Sequence, residues 1–248
     1  MNCAISQPIF LPWLGWFDLA DQVDTLVLLD DVGFSKQSWQ QRNRIRTPAG
    51  LEYISVPVKT AGKLGQLILD CDLAKSRFAD KLVKTLRANY SRAPFFGDSI
   101  DGLSETIQAG GRTNKLVELN CSLISWMAAR LGVGTPMIRA SSLGVGGLRG
   151  EHVASMCERV GASEYVSPAG AEGYLAEDRA SFDRRGIAVR LHVYEHPVYP
   201  QRFLPFMPYA SALDVIFNAG PAAPEVMRSG RRAARPLTDM PQPCTEEQ

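Results

Sequence analysis

The sequence predicts an α/β protein: a layered domain with a mainly parallel, nucleotide-binding-like sheet and a helical elaboration. One observation is a set of short β-rich runs such as Thr25 to Leu29, typical of strands buried on both faces of a sheet. A second is that these runs alternate with segments whose apolar residues recur at helical spacing. A third is that the turns between them are short, which favours parallel strands joined by helices.

The first sixty residues predict strands separated by one short helix. The first strand ends in Ser6-Gln7-Pro8, and the helix after it closes near Asp21. The turn at Pro48-Ala49-Gly50 separates the later strand from the polar stretch before it. The strands predicted in this part are Cys3 to Ile5, Thr25 to Leu29 and Tyr53 to Val58.

The remainder of the chain predicts four helices and three strands in alternation. The helices are predicted over Lys75 to Asn89, Asn114 to Leu131, Gly150 to Val160 and Tyr174 to Arg185. The strands are predicted over Pro136 to Ala140, Glu164 to Ser167 and Ile187 to Tyr194. We therefore expect one domain over residues 1–226 with a helical insertion at about 75–131. Residues 227–248 are rich in Pro, Ala and Arg without periodicity, which predicts a disordered tail.

Composition excludes several classes of protein. The 248 residues carry 27 Lys+Arg against 26 Asp+Glu, a net charge of +1, so bulk charge favours neither DNA nor a membrane surface as a partner. No apolar run is long enough to span a bilayer. The five cysteines are scattered and form no C-x-x-C pair, which is typical of reduced thiols. We expect a cytoplasmic protein.

The densest group of polar and aromatic side chains lies between Gln7 and Arg46. Ligands of open α/β sheets bind beyond the carboxyl ends of the strands, where Gln7 and Asp30-Asp31 are predicted to lie. Lysine and arginine there would neutralise a phosphate or carboxylate. The alternative is that the tryptophans are core aromatics and the arginines a solvated rim. The residues predicted to bind substrate are Gln7, Trp13, Lys36, Trp39, Arg42, Asn43 and Arg44.

Two residues are candidates for proton transfer. Asp31 follows a predicted strand and could act as a base, although alternation along the chain points Asp30 and Asp31 to opposite sides. His196 is the best titrating candidate because the ordinary pKa of histidine lies near neutrality. The same stretch predicts two further substrate-binding residues, Tyr199 and Gln201.

The other two histidines are predicted to be structural. His192 lies inside a predicted strand and His152 on a predicted helix. No two histidines share a helical face at i, i+4 spacing, so the sequence predicts no metal site.

Several unusual strings in one order resemble the WbqC-like protein family. The resemblance extends over about residues 2 to 221. The strings that carry it are Gln7-Pro8-x-Phe10-Leu11-Pro12-Trp13-x-Gly15-Trp16-Phe17, Asp31-Val32-x-Phe34, Arg42-Asn43-Arg44-Ile45, His196-Pro197-x-Tyr199-x-Gln201 and Ser211-x-x-Asp214-x-x-Phe217-Asn218.

The resemblance implies a bacterial biosynthetic enzyme acting in the assembly of surface polysaccharides or specialised metabolites. It implies acyl or aminoacyl transfer that forms an amide on an amine, and it favours Asp31 over Asp30. The expected partner is a small-molecule or carrier-linked substrate, with charged tRNA or a carrier protein as alternative donors. A nucleotidyl-transfer-like enzyme and a non-catalytic module that binds a carrier-linked or nucleotide-linked intermediate are the other functions considered. The sequence names no cofactor.

Overall fold

A six-stranded sheet forms the centre of the protein, in a computed structural model that describes residues 1–74 and 77–237. The sheet order is β5-β2-β1-β6-β7-β8, and only the edge strand β8 is antiparallel to its neighbour. In the described residues the strands are β1 (Asn2–Ser6), β2 (Thr25–Leu28), β3 (Arg42–Thr47), β4 (Gly50–Ser55), β5 (Met137–Arg139), β6 (Glu164–Ser167), β7 (Ala188–Tyr194) and β8 (Arg231–Pro236). The predicted fold class is confirmed.

Helices cover both faces of this sheet. One face packs against α1, α4, α8 and α9, and the other against α5, α6 and α7. The α-helices of the described residues are α1 (Leu14–Asp21), α2 (Phe78–Tyr90), α3 (Gly97–Arg112), α4 (Leu116–Arg130), α5 (Arg149–Arg159), α6 (Glu172–Glu177), α7 (Arg179–Asp183), α8 (Leu213–Ala219) and α9 (Ala223–Ser229). None of these helices is long and apolar enough to cross a membrane.

The strand order reverses direction on the two sides of β1. The chain proceeds from β1 through β2 to β5 on one side, and from β6 through β7 to β8 on the other. Such a reversal leaves a crevice at the carboxyl ends of the strands, where open α/β sheets bind ligands. Ala4 packs with α1 and Ile5 packs with α5, so alternation points Ser6 towards the α1 face.

A separate two-stranded hairpin of β3 and β4 lies outside the main sheet. The strand predicted over Tyr53 to Val58 lies three residues earlier, at Gly50–Ser55. It ends before Pro57, because proline has no backbone N–H to donate to a neighbouring strand. The sequence pattern does not predict β3, since its alternate residues are arginines. The register places Arg44 opposite Tyr53, so the arginines stand beside an exposed aromatic ring.

Among the described residues, three α-helices lie between β4 and β5, one more than the periodicity of residues 75–131 predicts. Helix α3 carries Ile100, Leu103 and Ile107 at helical spacing, but its glycines reduce helix propensity. Gly110 is needed there because a Cβ would lie 2.8 Å from a methyl carbon of Leu119 on α4. The glycine that weakens the prediction therefore allows the close approach of α3 and α4.

The predicted single helix over Tyr174 to Arg185 is wrong: the chain forms α6 and α7, which are separated at Asp178. The Asp178 carboxylate accepts a hydrogen bond of 2.9 Å from the backbone N–H of Gly150, at the start of α5. The helix is thus interrupted at Asp178, whose side chain binds the start of α5.

The predicted disordered tail over 227–248 is wrong for residues 227–237. Helix α9 extends to Ser229, and β8 pairs with β7. Arg231 at the start of β8 donates from Nε to Asp18 Oδ1 of α1 at 2.8 Å, and it also binds Asp21. Arg228 and Arg231, two of the arginines on which the tail prediction rests, bind carboxylates of α1. Residues 238–248 lie outside the described residues.

Candidate functional site

A pocket of about 230 Å³ lies at the carboxyl end of β1, on the α1 face of the sheet. Its walls are mainly aromatic, with one guanidinium at the rim. We call it the aromatic pocket; its lining residues are Ser6, Ile9, Trp13, Trp16, Trp39, Asn43, Arg44 and Tyr209. Four of the predicted substrate-binding residues therefore lie together: Trp13, Trp39, Asn43 and Arg44.

Trp13 forms one wall of the aromatic pocket from the residue that precedes α1. Its indole folds back over Gly15, where a Cβ would overlap the ring. The Trp13 ring packs edge-on against Tyr194 and tilts against Tyr209, with both centroids at 5.6 Å. Opposite it, the Trp16 Nε1–H donates to Ser6 Oγ at 2.9 Å. The alternative that the tryptophans are core side chains describes Trp16, which is buried; Trp13 is half-buried against the core, and Trp39 is exposed.

Buried amides hold the loop between β1 and α1 over the pocket. Asn43 Nδ2 donates to the carbonyl oxygens of Phe10 and Leu11 at 3.0 and 2.8 Å. Leu11 has a φ of 47°, an unfavourable value for a residue with a Cβ. Asn120 of α4 donates to the carbonyls of Pro8 and Gln40. These bonds position the loop, and they use most of the bonding capacity of Asn43.

Replacing Asn43 by alanine is expected to lower the free energy of unfolding by about 1–3 kcal/mol, because the buried carbonyls of Phe10 and Leu11 lose their donor. Urea unfolding measures this change. The control is Asn89→Ala, which removes one local bond to the Thr85 carbonyl on α2 and should cost less. Equal losses in the two variants would contradict the role given to Asn43.

His196 lies behind the aromatic pocket in a cage of rings. It stacks on Trp13 at 6.3 Å between centroids and meets Tyr209 edge-on at 5.2 Å. Its Nδ1 lies 3.0 Å from the carbonyl oxygen of Pro197, and a carbonyl only accepts, so Nδ1 carries the proton of the neutral ring. Nε2 therefore presents a lone pair, and it is buried without a hydrogen bond to any described residue.

Burial lowers the pKa of the His196 imidazole below its ordinary value of 6.5, although the bond to Pro197 opposes this shift. The ring is therefore neutral at physiological pH. A neutral imidazole with a fixed tautomer and a free Nε2 lone pair is the form that accepts a proton.

Each arginine of β3 that was predicted to bind substrate lies beside an aromatic ring. The Arg42 guanidinium lies 4.3 Å from the centre of the Tyr53 ring, and that of Arg44 lies 5.5 Å from the centre of Trp39. Arg44 also donates to the carbonyl of Tyr209 at 3.4 Å, while its buried Nε has no partner among the described residues. Lys36 lies apart from this pair, in a surface depression beside Phe34 and Lys63.

The two carboxylates after β2 have different partners. Asp30 is fully buried and binds Arg139 Nε at 2.6 Å together with the backbone N–H and hydroxyl of Ser141. Asp31 points to the opposite face, where its Oδ2 lies 3.1 Å from Nε2 of His152 on α5. Asp31 Oδ1 and His152 Nδ1 are buried without partners in the part of the chain that the structure describes. Asp30 is thus structural, and Asp31 retains unused bonding capacity.

His152 was predicted to be structural, yet its imidazole lies against the Asp31 carboxylate. No local motif links the two, since 121 residues separate them and a helix carries one of them. The contact could have been inferred only from the topology: α5 connects β5 to β6, so it crosses the sheet and passes near the end of β2.

Besides Lys36 and Arg42, three more of the predicted substrate-binding residues do not line the aromatic pocket. Tyr199 and Gln201 are buried, and both donate to Oδ2 of the enclosed Asp214, at 2.8 and 2.9 Å. Gln7 Oε1 accepts a bond of 2.9 Å from Gln40. These contacts support the loops around the pocket; that the three residues also bind substrate stays a prediction.

Across residues 1–74 and 77–237, no group of three or more His, Cys, Asp or Glu side chains is placed to hold a metal ion.

Comparison with models of known protein families matches this chain to the WbqC-like protein family over residues 7–226. The chain belongs to the WbqC-like family. The match includes every residue predicted for the site, from Gln7 to Gln201, and it confirms the family resemblance drawn from the sequence strings. In this WbqC-like protein the matched residues include the hairpin and the whole lining of the aromatic pocket except Ser6.

One curated relative of this WbqC-like protein is the uncharacterized protein Rv1507c of Mycobacterium tuberculosis (strain ATCC 25618 / H37Rv). The two chains are 34% identical over 230 residues, which is 92% of this chain and 98% of the relative. No solved structure matches this chain.

Proposed function

We propose that this WbqC-like protein is a cytoplasmic enzyme that joins an activated acyl or aminoacyl group to an amine. The observation that carries the proposal is His196, a neutral imidazole with a free Nε2 lone pair directly behind the aromatic pocket. Amide formation needs a base of this kind, because the attacking amine must lose a proton. The family resemblance supports a product used in surface-polysaccharide or specialised-metabolite assembly.

The aromatic pocket is the proposed site of the acyl group. Its rings offer apolar contact to an acyl chain or an aminoacyl side chain. Arg44 lies at the rim, where its guanidinium binds the oxyanion that forms on the carbonyl or a phosphate of the donor. Trp13 and Tyr209 line the pocket and also contact His196, so the proposed reaction requires these two rings to part and admit the amine to Nε2.

The proposed reaction has two steps, addition of the amine and departure of the leaving group. The amine nitrogen attacks the acyl carbon, a C–N bond forms, and His196 Nε2 takes the proton that the nitrogen releases. The bond from the acyl carbon to the leaving group then breaks, and the imidazolium returns that proton to the departing oxygen or sulfur. The products are an amide and the free carrier, and the histidine ends neutral.

Asp31 with His152 is the second candidate base. A carboxylate that orients an imidazole is a common arrangement in proton transfer. The pair lies on the α5 face of the sheet, opposite the aromatic pocket, and a substrate that crosses the carboxyl edge of β1 would reach both sites. Variants of His152 and His196 separate the two candidates.

The proposal is tested by product formation. Purified protein is incubated with acyl thioesters, acyl adenylates or aminoacyl-tRNA, each with a panel of amines that includes nucleotide-linked amino sugars, and mass spectrometry detects the amide. We expect one donor class to give an amide in amounts that depend on enzyme concentration. Binding of a donor without product under any condition would contradict catalysis and favour the module that only binds a carrier-linked or nucleotide-linked intermediate.

The lowered pKa of His196 predicts the acidic limb of the pH–rate profile. A base is active when deprotonated, so activity should fall only as the pH drops through the pKa of the imidazole, which burial places below 6.5. The measurement is kcat/KM between pH 4.5 and 8. An acidic limb above 6.5 would contradict His196 as the base.

A further inference from the structure

A second cavity, of about 560 Å³, lies between β4 and α2. We call it the basic groove; it is lined by Tyr53, Ser55 and Pro57 on one side and by Arg77, Lys81 and Thr85 on the other. Two cations face it, and its described lining contains no Asp or Glu. The groove therefore suits an anionic ligand.

Two neighbouring aromatic rings, tilted by 39° to each other, connect the basic groove to the aromatic pocket. Trp39 lines the pocket and Tyr53 lines the groove, and their ring centroids are 6.0 Å apart. Both side chains are exposed, at 44% and 52% of their surface. Arg44 lies over Trp39 and Arg42 lies over Tyr53. Because the two contacting rings line adjacent cavities, one ligand could occupy the pocket and the groove together.

The cations of this surface lie outside the ion pairs that the described residues form. In the part of the chain that the structure describes, Arg42, Arg44, Arg77 and Lys81 form no ion pair. The one carboxylate between Arg77 and Lys81 on α2 is Asp80, and it accepts a bond of 2.8 Å from Gln108 of α3. The positive charge of the groove is therefore free for a ligand.

We propose that the basic groove binds a phosphorylated nucleoside that the acyl donor carries. Arg77 and Lys81 bind its phosphates, and the base stacks on the exposed Tyr53–Trp39 pair, as bases do on aromatic platforms. The acyl group then reaches past Trp39 into the aromatic pocket. This inference rests on the proposed acyl transfer and names the chemistry of its donor. A soluble coenzyme and the 3′ end of an RNA both present such a group.

The test is calorimetric titration of the full chain with two probes: adenosine 3′,5′-bisphosphate, which is the nucleotide part of coenzyme A, and a short RNA with a single-stranded adenosine end. We expect at least one probe to bind. The double variant Arg77→Ala/Lys81→Ala should weaken that binding about tenfold or more, since phosphate bonds to charged groups are lost. Tyr53→Ala should weaken it as well, through loss of stacking.

The matched control is Lys84→Ala/Arg87→Ala, which removes the same charge from exposed positions of α2 outside the groove. Binding should be unchanged in this control. Bisphosphate binding identifies a soluble coenzyme as the source, and binding of the RNA alone identifies the end of a nucleic acid. Equal weakening in the two double variants, or no binding of either probe to the wild type, would overturn the inference.

Failure of this inference is distinguishable from failure of the proposed function. If the wild type forms an amide yet binds neither probe, acyl transfer stands and the groove inference fails. If a probe binds through Arg77 and Lys81 but no amide forms with any donor, the groove stands and acyl transfer fails.

Discussion

Replacing His196 by asparagine is expected to lower the turnover of amide formation by about 10²–10⁴-fold, the usual contribution of a general base. Asparagine is chosen because its side-chain amide can still donate to the carbonyl of Pro197, as Nδ1 does in the native protein. The variant therefore keeps the hydrogen bond and removes the proton acceptor. Turnover is measured with the donor class identified by product formation.

The matched control for His196 is His152→Asn, which breaks the contact with Asp31 on the opposite face of the sheet. If His196 is the base, the first variant loses turnover and the second retains most of it, with similar donor affinity in both. A melting temperature close to the wild-type value excludes unfolding as the cause. Full turnover in His196→Asn together with its loss in His152→Asn would contradict His196 and assign the proton transfer to the Asp31–His152 pair.

Replacing Asp18 by alanine is expected to lower the free energy of unfolding by about 3–5 kcal/mol. Asp18 is fully buried on α1, where its Oδ2 lies 2.8 Å from Nε2 of His192 and its Oδ1 accepts from Arg231 at 2.8 Å. Alanine removes the acceptor for both groups and leaves the Arg231 guanidinium partly buried with Asp21 alone. Urea unfolding followed by circular dichroism measures the loss.

Arg228→Ala is the control for Asp18. Arg228 also binds Asp21, but it is 42% exposed, so its ion pair should be worth at most about 1 kcal/mol. A smaller loss of stability in Asp18→Ala than in Arg228→Ala would show that this network does not hold β8 against α1 as described.

The sequence predicts the central sheet well because its buried strands have a strong apolar signal. Thr25 to Leu28 is buried on both faces, and the strand over Glu164–Ser167 is found where it was expected. Elements whose stability comes from tertiary contacts are missed. Strand β8 has an arginine-rich sequence, and it is ordered because Arg231 meets carboxylates of α1 that are more than 200 positions away.

The candidate site is predicted in part, for a similar reason. Trp13 follows the carboxyl end of β1, where a local pattern can indicate a ligand site, and Trp39 and Arg44 come to the same pocket from the segment that leads into the hairpin and from β3. A dense group of polar and aromatic residues in the sequence does not distinguish a side chain that faces a ligand from one that supports a loop. Asn43 looks like a ligand-binding group in the sequence, yet its amide is directed at the backbone of Phe10 and Leu11. The contact of Asp31 with His152 depends on the path of α5, so no local sequence pattern predicts it.

The aromatic pocket as the donor site is tested most directly by tryptophan fluorescence, because three of the four tryptophans line it. Acyl thioesters, acyl adenylates and aminoacyl-tRNA are titrated into the wild type and into Arg44→Ala, which keeps every tryptophan. We predict a saturable change in fluorescence with one donor class and an affinity about tenfold weaker in the variant, from loss of a charge-assisted bond. Equal affinity in the two proteins, or no saturable change with any donor, would contradict the assignment of this pocket to the donor.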